Sequence, residues 1–294
     1  MTTVEPSGVW ATAVGVAWIR ALESRRENAL FHDPLAAAFA EAGGRPLPDP
    51  AAPAPDPADG SDPGGPDGPE QERRRRWRAV AFSVVVRTRF LDDLLAEAVA
   101  AGCRQVVLLG AGMDSRAFRL DWPPGTRLYE VDTAEPLDFK QSVLDARGAV
   151  PRCERIPVPV DLRDDWPGAL AAAGHDPARP TAWIAEGLLI YLPQDAVERL
   201  LGQVGALSAA DSRMGLTMGS QGALERFGGD TGTAASMWVS VMPDDPVGWL
   251  AGLGWDARTF TVRERAAAYG RPVAVAEPAR PGPGGLISAV RRQA

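Results

Sequence analysis

Residues 106–116 read Val-Val-Leu-Leu-Gly-Ala-Gly-Met-Asp-Ser-Arg. The apolar run that ends at Leu109 is typical of a buried strand, and two glycines follow it closely. Glycine lets the backbone turn tightly and approach a ligand, as it does after the first strand of nucleotide-binding sheets. The stretch therefore predicts a strand and turn whose Gly110 and Gly112 lie against a ligand.

An acidic residue further along the chain strengthens this prediction. Asp132 follows the next apolar run and lies 20 positions after Gly112, the spacing at which a carboxylate meets ribose hydroxyl groups. Glu130 shares the strand face of Asp132, but Asp132 is nearer the carboxyl end of the strand and is the better candidate. We therefore expect a nucleoside-like ligand.

Strands and helices alternate on both sides of this stretch. The apolar runs that predict the first five strands cover residues 105–109, 127–131, 155–160, 181–185 and 214–218. This alternation predicts an α/β fold with a doubly wound parallel sheet. Pro157 and Pro159 interrupt the third run, and proline cannot donate to a central ladder, so the third strand is expected at an edge, as in the order 3-2-1-4-5. Later, a helix is expected at 243–253, with strands at 255–262 and 285–290.

The composition along the chain predicts a single domain over residues 1–294. Two helices are expected within 1–43, the second with Asp33 as N-cap and Pro34 as its first residue. Residues 44–69 are rich in Pro, Gly and Asp and are predicted to be disordered. The remainder, 70–294, forms the predicted core, with a helix over 70–101 and a cap around 220–242.

Arg87 stands out in the long helix because it lies on the apolar stripe that faces the core. A buried guanidinium is too costly to leave without an anionic partner. Either an internal carboxylate or the carboxylate of a ligand would satisfy it, and the residues alone leave both alternatives open.

The turn after the first strand also limits the kind of ligand. The third glycine of a dinucleotide fingerprint is missing, and Ser115 and Arg116 stand there instead, which disfavours a pyrophosphate. S-adenosylmethionine has adenosine and no phosphates, and its methionyl carboxylate could pair with Arg87.

Two further acids follow predicted strands. Asp161 ends the third and could accept the adenine amine, with Leu162 over the ring; Glu186 ends the fourth. Each could instead be a helix cap or an internal counter-ion.

Charge and composition exclude several classes of protein. The chain has 31 Lys and Arg against 38 Asp and Glu, a net charge of −7, which disfavours a nucleic-acid substrate. Two cysteines and two histidines, without ligand spacing, argue against a disulfide framework and against a metal site. The uncharged run 6–19 is shorter than the ~20 residues of a membrane span and lacks a basic region before it, so a cytoplasmic protein is expected.

These motifs together resemble those of the leucine carboxyl methyltransferase superfamily, in particular its bacterial branch of S-adenosylmethionine-dependent methyltransferases. The resemblance covers nearly the whole chain and is carried by residues 87–93, 109–116, 130–132, 161–163 and 185–188. It is extended by residues 12–13, 20–23, 32–35 and 269–272.

The resemblance implies a Rossmann-like class I methyltransferase sheet with an N-terminal helical extension and cap insertions. It implies S-adenosylmethionine as cofactor, with Arg87 on its carboxylate, Asp132 on the ribose and Glu186 near the amino end. Gly110, Ala111 and Gly112 would line the methionyl part, and Asp161 with Leu162 would bind adenine. Residues 46–69 depart from the family pattern in length and composition, which affects the expected substrate entrance and not the cofactor site.

The expected reaction is an in-line methyl transfer to the carboxylate of a small molecule, which is ionised at pH 7 and needs no base. A phenol or hydroxyl acceptor in natural-product tailoring is the alternative, and it would benefit from a base. His32 and Tyr191 are weak candidates for that base, because the sequence favours a helix-entry hydrogen bond for His32 and core packing for Tyr191. A nicotinamide-dependent oxidoreductase and a non-catalytic cofactor-binding protein are the further alternatives. The sequence predicts no oligomeric state.

Overall fold

The computed structural model describes residues 10–49, 69–219, 237–271 and 285–293. Within these residues one sheet has the strand order β3-β2-β1-β4-β5-β7-β6. The strands are β1 Gln105–Leu109, β2 Arg127–Asp132, β3 Glu154–Pro159, β4 Thr181–Ala185, β5 Arg213–Thr217, β6 Trp255–Phe260 and β7 Leu286–Arg291. The strands from β3 to β5 run parallel, and β7 is antiparallel to both β5 and β6.

The predicted order 3-2-1-4-5 is confirmed, and β3 is an edge strand of the described sheet. Pro157 and Pro159 lie opposite Glu130 and Asp132 of β2. Proline is tolerated here because β3 has a partner strand on one side only.

Helices pack on both faces of the sheet. They are α1 Trp10–Ser24, α2 Ala36–Ala42, α3 Pro69–Ala100, α4 Arg116–Arg119, α5 Ala134–Ala146, α6 Trp166–Ala172, α7 Gln194–Ala206, α8 Pro246–Gly252 and α9 Val262–Ala268. Alternate residues of β1 enter different cores, since Val106 and Leu108 pack with α2, α3, α5 and α9. Val107 and Leu109 pack with α6, α7 and α8. The doubly wound prediction is therefore confirmed.

Three predicted boundaries are wrong by two residues or more. The helix expected from Asp33-Pro34 begins at Ala36, because the Asp33 side chain accepts the N–H groups of Leu35 and Ala36 at 3.1 Å and holds a turn there. The strand expected to reach Val262 ends at Phe260, since Thr261 forms a capping box that begins α9. The helix expected from Pro243 begins at Pro246, after the N-cap Asp245.

Parts of two predicted segments fall outside the described residues, namely 50–68 of the Pro-rich loop and 220–236 of the cap. The described end of the cap lies against a 3-10 helix, Leu189–Tyr191, that follows β4. There Val239 N–H donates to the Ile190 carbonyl at 2.8 Å, and the Ser240 hydroxyl donates to that of Leu189 at 2.7 Å. In the part of the chain that is described, no helix combines the length and apolar character needed to cross a bilayer.

Candidate functional site

The glycine turn after β1 leaves little room for a Cβ at Gly110 and Gly112. Gly110 and Gly112 have φ values of +64° and +43°, a region that favours glycine. A Cβ on Gly110 would lie 3.0 Å from Leu188 Cδ1, and one on Gly112 would lie 2.9 Å from the Cβ of Ala13. The turn therefore lies between α1 and the segment after β4, at the carboxyl ends of the parallel strands.

Asp132 joins the end of β2 to this turn. Its Oδ2 accepts the N–H of Gly112 at 2.7 Å and its Oδ1 accepts that of Thr133 at 2.8 Å. Burial raises the pKa of Asp132, and these two N–H groups oppose that effect only in part. The structure thus brings Asp132 and Gly112 together at the ends of β2 and β1.

Glu130, on the same strand face, has a different environment. It is fully buried, and its carboxylate pairs with Lys140 and Arg155, each at 2.7 Å. These contacts join β2 to α5 and β3. Of the two acidic residues, Asp132 is therefore the one that remains at the end of the strand, next to the glycine turn.

Arg87 and Glu186 form an ion pair across the site. Arg87 Nε lies 3.0 Å from Glu186 Oε1, and the side chains are 16% and 13% exposed. An internal carboxylate therefore does satisfy Arg87, and Glu186 serves as a counter-ion. Among the described residues the two Nη nitrogens of Arg87 have no hydrogen-bond partner. They lie against Gly187, where a Cβ would approach Arg87 Nη2 to 3.0 Å.

Arg116 is the central residue of the site that the sequence did not assign. Its side chain is 2% exposed and binds Asp92 and Glu186, each at 2.8 Å, and also Asp114. Arg119 binds Asp92 as well, at 2.7 Å. In the sequence Arg116 was only a departure from the third glycine, although its apolar neighbours in a short helix are a signal of burial.

The charge of Glu186 depends on these arginines. Burial raises the pKa of the Glu186 carboxyl, but Arg116 and Arg87 together hold it below its usual value. Glu186 is therefore an ionised carboxylate in the site at neutral pH.

The N-terminal helices hold the glycine turn from the other side. Arg20 of α1 donates to the carbonyl of Met113 at 2.5 Å and pairs with Asp33 at 2.9 Å. The hydroxyl of Ser115 donates to the same Asp33 carboxylate at 2.6 Å. All three side chains are buried, so Arg20 and Asp33 tie α1 and the turn before α2 to the glycine turn.

Asp161 lies at the next strand end. The N–H of Val160 donates to the carbonyl of Asp132 at 2.9 Å, which brings the ends of β2 and β3 together. The Asp161 carboxylate pairs with Arg163 at 2.6 Å, and these hydrogen bonds lower its pKa. Leu162, the residue between them, is half-buried.

The two candidate bases lie in different places. His32 is exposed, with Nδ1 3.3 Å from the Ser24 carbonyl, in a cleft that Arg119 and Arg152 also line. Among the described residues, His32 makes no hydrogen bond or ion pair with Asp132 or Glu186. Tyr191 is half-buried and follows β4 on the same side as Glu186.

The described residues fit S-adenosylmethionine in three respects. The positive-φ turn brings backbone to the strand ends, the Arg87 Nη nitrogens can take a carboxylate, and Asp132 is a carboxylate beside the turn. These are the features that an amino acid joined to a nucleoside requires.

Comparison with known proteins agrees with this geometry. Residues 13–205 match the family described as Leucine carboxyl methyltransferase. The chain is similar to two proteins whose provisional name is S-adenosyl-L-methionine-dependent methyltransferase. One, from Frankia alni, is 68% identical over 290 residues and covers 98% of this chain and 96% of its own. The other, from Streptomyces avermitilis, is 67% identical over 291 residues, 98% of each chain.

Among solved structures, a DUF574 family protein from Streptomyces avermitilis has the same fold. It aligns with a TM-score of 0.52 and 16% identity over 79% of this chain and 94% of its own. The family match and the relatives lead to one conclusion: this chain belongs to the leucine carboxyl methyltransferase family and is an S-adenosyl-L-methionine-dependent methyltransferase.

Proposed function

We propose that the cofactor binds at the carboxyl ends of β1 to β4, with each part held by a separate strand end. The Nη nitrogens of Arg87 bind its carboxylate, and Glu186 binds its ammonium group. Asp132 accepts the ribose hydroxyls, and Asp161 with Leu162 receives the adenine. The backbone from Gly110 to Gly112 lies beside the methionyl chain.

We further propose that the acceptor is a carboxylate oxygen of a small molecule. One observation carries this proposal: each candidate carboxylate at these strand ends is already engaged as a hydrogen-bond acceptor. Glu186 is held by two arginines, Asp132 by two backbone N–H groups and Asp161 by Arg163. Pairing with arginine lowers the pKa of Glu186 and Asp161 and makes them poor general bases, and Asp132 is assigned to the ribose. The site therefore favours an acceptor that arrives ionised. The family description, which names a carboxyl group, supports the same class of acceptor.

The protein then has to orient the reactants and exclude water. When bound, S-adenosylmethionine supplies a methyl group that its sulfonium has already activated. The chain contributes alignment, since a transfer between well-placed groups needs little else. α1, through Ala13, and residues 237–242 lie beside the site and limit the access of water.

The stability to base of the bond between the transferred methyl group and its acceptor identifies the chemical class of the acceptor. The protein would be incubated with methyl-tritiated S-adenosylmethionine and a bacterial metabolite extract, and the labelled product treated with mild base. A methyl ester releases its label as methanol, which is the expected result. Label that remains in the product would identify an ether or an amine and contradict the carboxylate proposal. Arg87→Ala, which should fail to label, is the control for transfer at this site.

A further inference from the structure

We propose that Arg116 is a positioning residue, which holds Glu186 in the orientation that aligns Arg87 for the amino acid end of the cofactor. This inference rests on the proposed function of the site, because it concerns how that site recognises its ligand. Arg116 itself is too deeply buried to contact the ligand.

The carboxylate of Glu186 is fixed at both oxygens. Oε1 takes the Nε of Arg87 at 3.0 Å, and Oε2 takes the Nη2 of Arg116 at 2.8 Å. Rotation of the carboxylate would break both contacts, so the position of Arg116 determines the direction in which Arg87 is drawn.

Arg116 is in turn fixed by the helix that carries Arg87. Its Nε donates to Asp92 at 2.8 Å, and both Asp92 and Arg87 belong to α3. The contacts form a closed ring from α3 through the end of β4 and α4 back to α3. In such a ring the loss of one member leaves the others without their alignment.

The charge of Arg116 also matters, because Glu186 binds an ammonium group only when it is ionised. The charged groups that act on Glu186 are Arg116, Arg87 and Arg20, which lower its pKa, and Asp114, which raises it. Burial raises it too, so without Arg116 the carboxyl would take up a proton at a higher pH. A neutral Glu186 would lose its attraction for the ligand's amino group.

The test measures dissociation constants for two probes in wild-type protein and Arg116→Gln, between pH 5.5 and 7.0. In this range the ligand's α-amino group, with an ordinary pKa of about 7.7 to 8.0, stays protonated. S-adenosylmethionine should bind Arg116→Gln at least about tenfold more weakly. Its affinity should fall further, by up to about tenfold per pH unit, as the pH is lowered, whereas wild type shows no such fall. 5′-Methylthioadenosine has no amino acid end and should bind both proteins equally, and Arg116→Lys should restore the wild-type pH profile.

Arg271→Gln is the matched control. Arg271 is another buried arginine, 2.9 Å from the fully buried Glu23 and outside the site. The Arg271→Gln variant should have a lower melting temperature, and its affinities for both ligands and their pH profiles should match those of the wild type. Two results would overturn the inference and leave Arg116 a purely structural residue. One is that Arg116→Gln weakens the binding of both ligands equally. The other is that its weaker binding of S-adenosylmethionine does not vary with pH.

Two further outcomes are decisive. If Arg116→Gln does not fold, Asp92→Asn releases Arg116 from α3 and keeps its charge. Asp92→Asn should weaken the binding of S-adenosylmethionine and leave the binding of 5′-methylthioadenosine unchanged. Weaker binding of both ligands would contradict the inference. Wild-type protein that binds neither probe would overturn the proposed function itself.

Discussion

Asp132 is the residue on which ribose recognition depends in the proposed site. Asp132→Ala removes a carboxylate that can accept both ribose hydroxyls, and a lost charge-assisted hydrogen bond costs about 1.5 to 3 kcal/mol. The dissociation constant for S-adenosylmethionine should therefore rise by about 10- to 150-fold. Calorimetric titration measures it, with Asp256→Ala, an exposed aspartate of β6, as the control. If Asp132→Ala is folded and binds S-adenosylmethionine with wild-type affinity, Asp132 does not bind the ligand.

His175 gives a prediction about pH. Burial lowers the pKa of its imidazole to about 4, and the ring nitrogen Nε2 lies 3.0 Å from the Thr181 hydroxyl. Between pH 6.5 and 4 the unfolded chain takes up a proton that the folded imidazole does not. The free energy of unfolding should therefore fall through this window as the pH falls, by at most about 1.4 kcal/mol per pH unit from this group.

Urea denaturation at several pH values tests this effect. His175→Gln should show a shallower fall than wild type, and His32→Gln, at an exposed position, should match wild type. The same slope in His175→Gln and wild type would show that His175 does not contribute.

At the level of single residues, the sequence predicted the acidic residues of the site but not the arginine side chains that pair with them. Asp132, Asp161 and Glu186 could be found because each ends an apolar run, and parallel strands bring those ends together. Arg116 could not be assigned, since its partners Asp92 and Glu186 are 24 and 70 residues away and nothing in the spacing joins them. The ion pair of Arg87 was one of two alternatives, and only the fold distinguishes them.

Helix ends depend on single caps, and α8 shows this most clearly. The Asp245 side chain accepts the N–H of Gly248 at 2.8 Å, and Pro246 follows at the first helical position. Asp245→Ala should lower the free energy of unfolding by about 1 kcal/mol. Chemical denaturation checks this value, with the exposed neighbour Asp244→Ala as the control. Equal stability of the two variants would contradict the role of the cap.

The strands were easier to predict than the helix boundaries. β1 and β4 begin and end at the predicted residues, because every residue of both strands is buried and all but the first, Gln105 and Thr181, are apolar. α9 was missed, since its sequence Val-Arg-Glu-Arg-Ala-Ala-Ala follows a strand without a glycine or proline between them. The only local signal was the Thr261 and Glu264 pair, which is a capping box.

Across the whole molecule, the Pro-rich composition predicts that residues 50–68 contribute little to stability. Replacing them with a Gly-Ser linker of about half the length should change the free energy of unfolding by about 0.6 kcal/mol. Pro46 and Pro48 are kept, because Trp18 and Arg25 of the N-terminal region donate to their carbonyls at 3.1 and 2.8 Å. Calorimetric melting is the measurement. A fall of many degrees would show that the segment packs as part of the fold, and an unchanged melting temperature with lost turnover would place it at the substrate entrance.

The position of the cofactor is tested most directly by a crystal structure of the protein with S-adenosylhomocysteine. We expect the ligand's carboxylate on the Nη nitrogens of Arg87, its amino group within hydrogen-bond distance of Glu186 and its ribose hydroxyls on Asp132. We also expect adenine beside Asp161 and Leu162. A ligand bound elsewhere, or one whose amino acid end avoids the pair formed by Arg87 and Glu186, would contradict the proposed site.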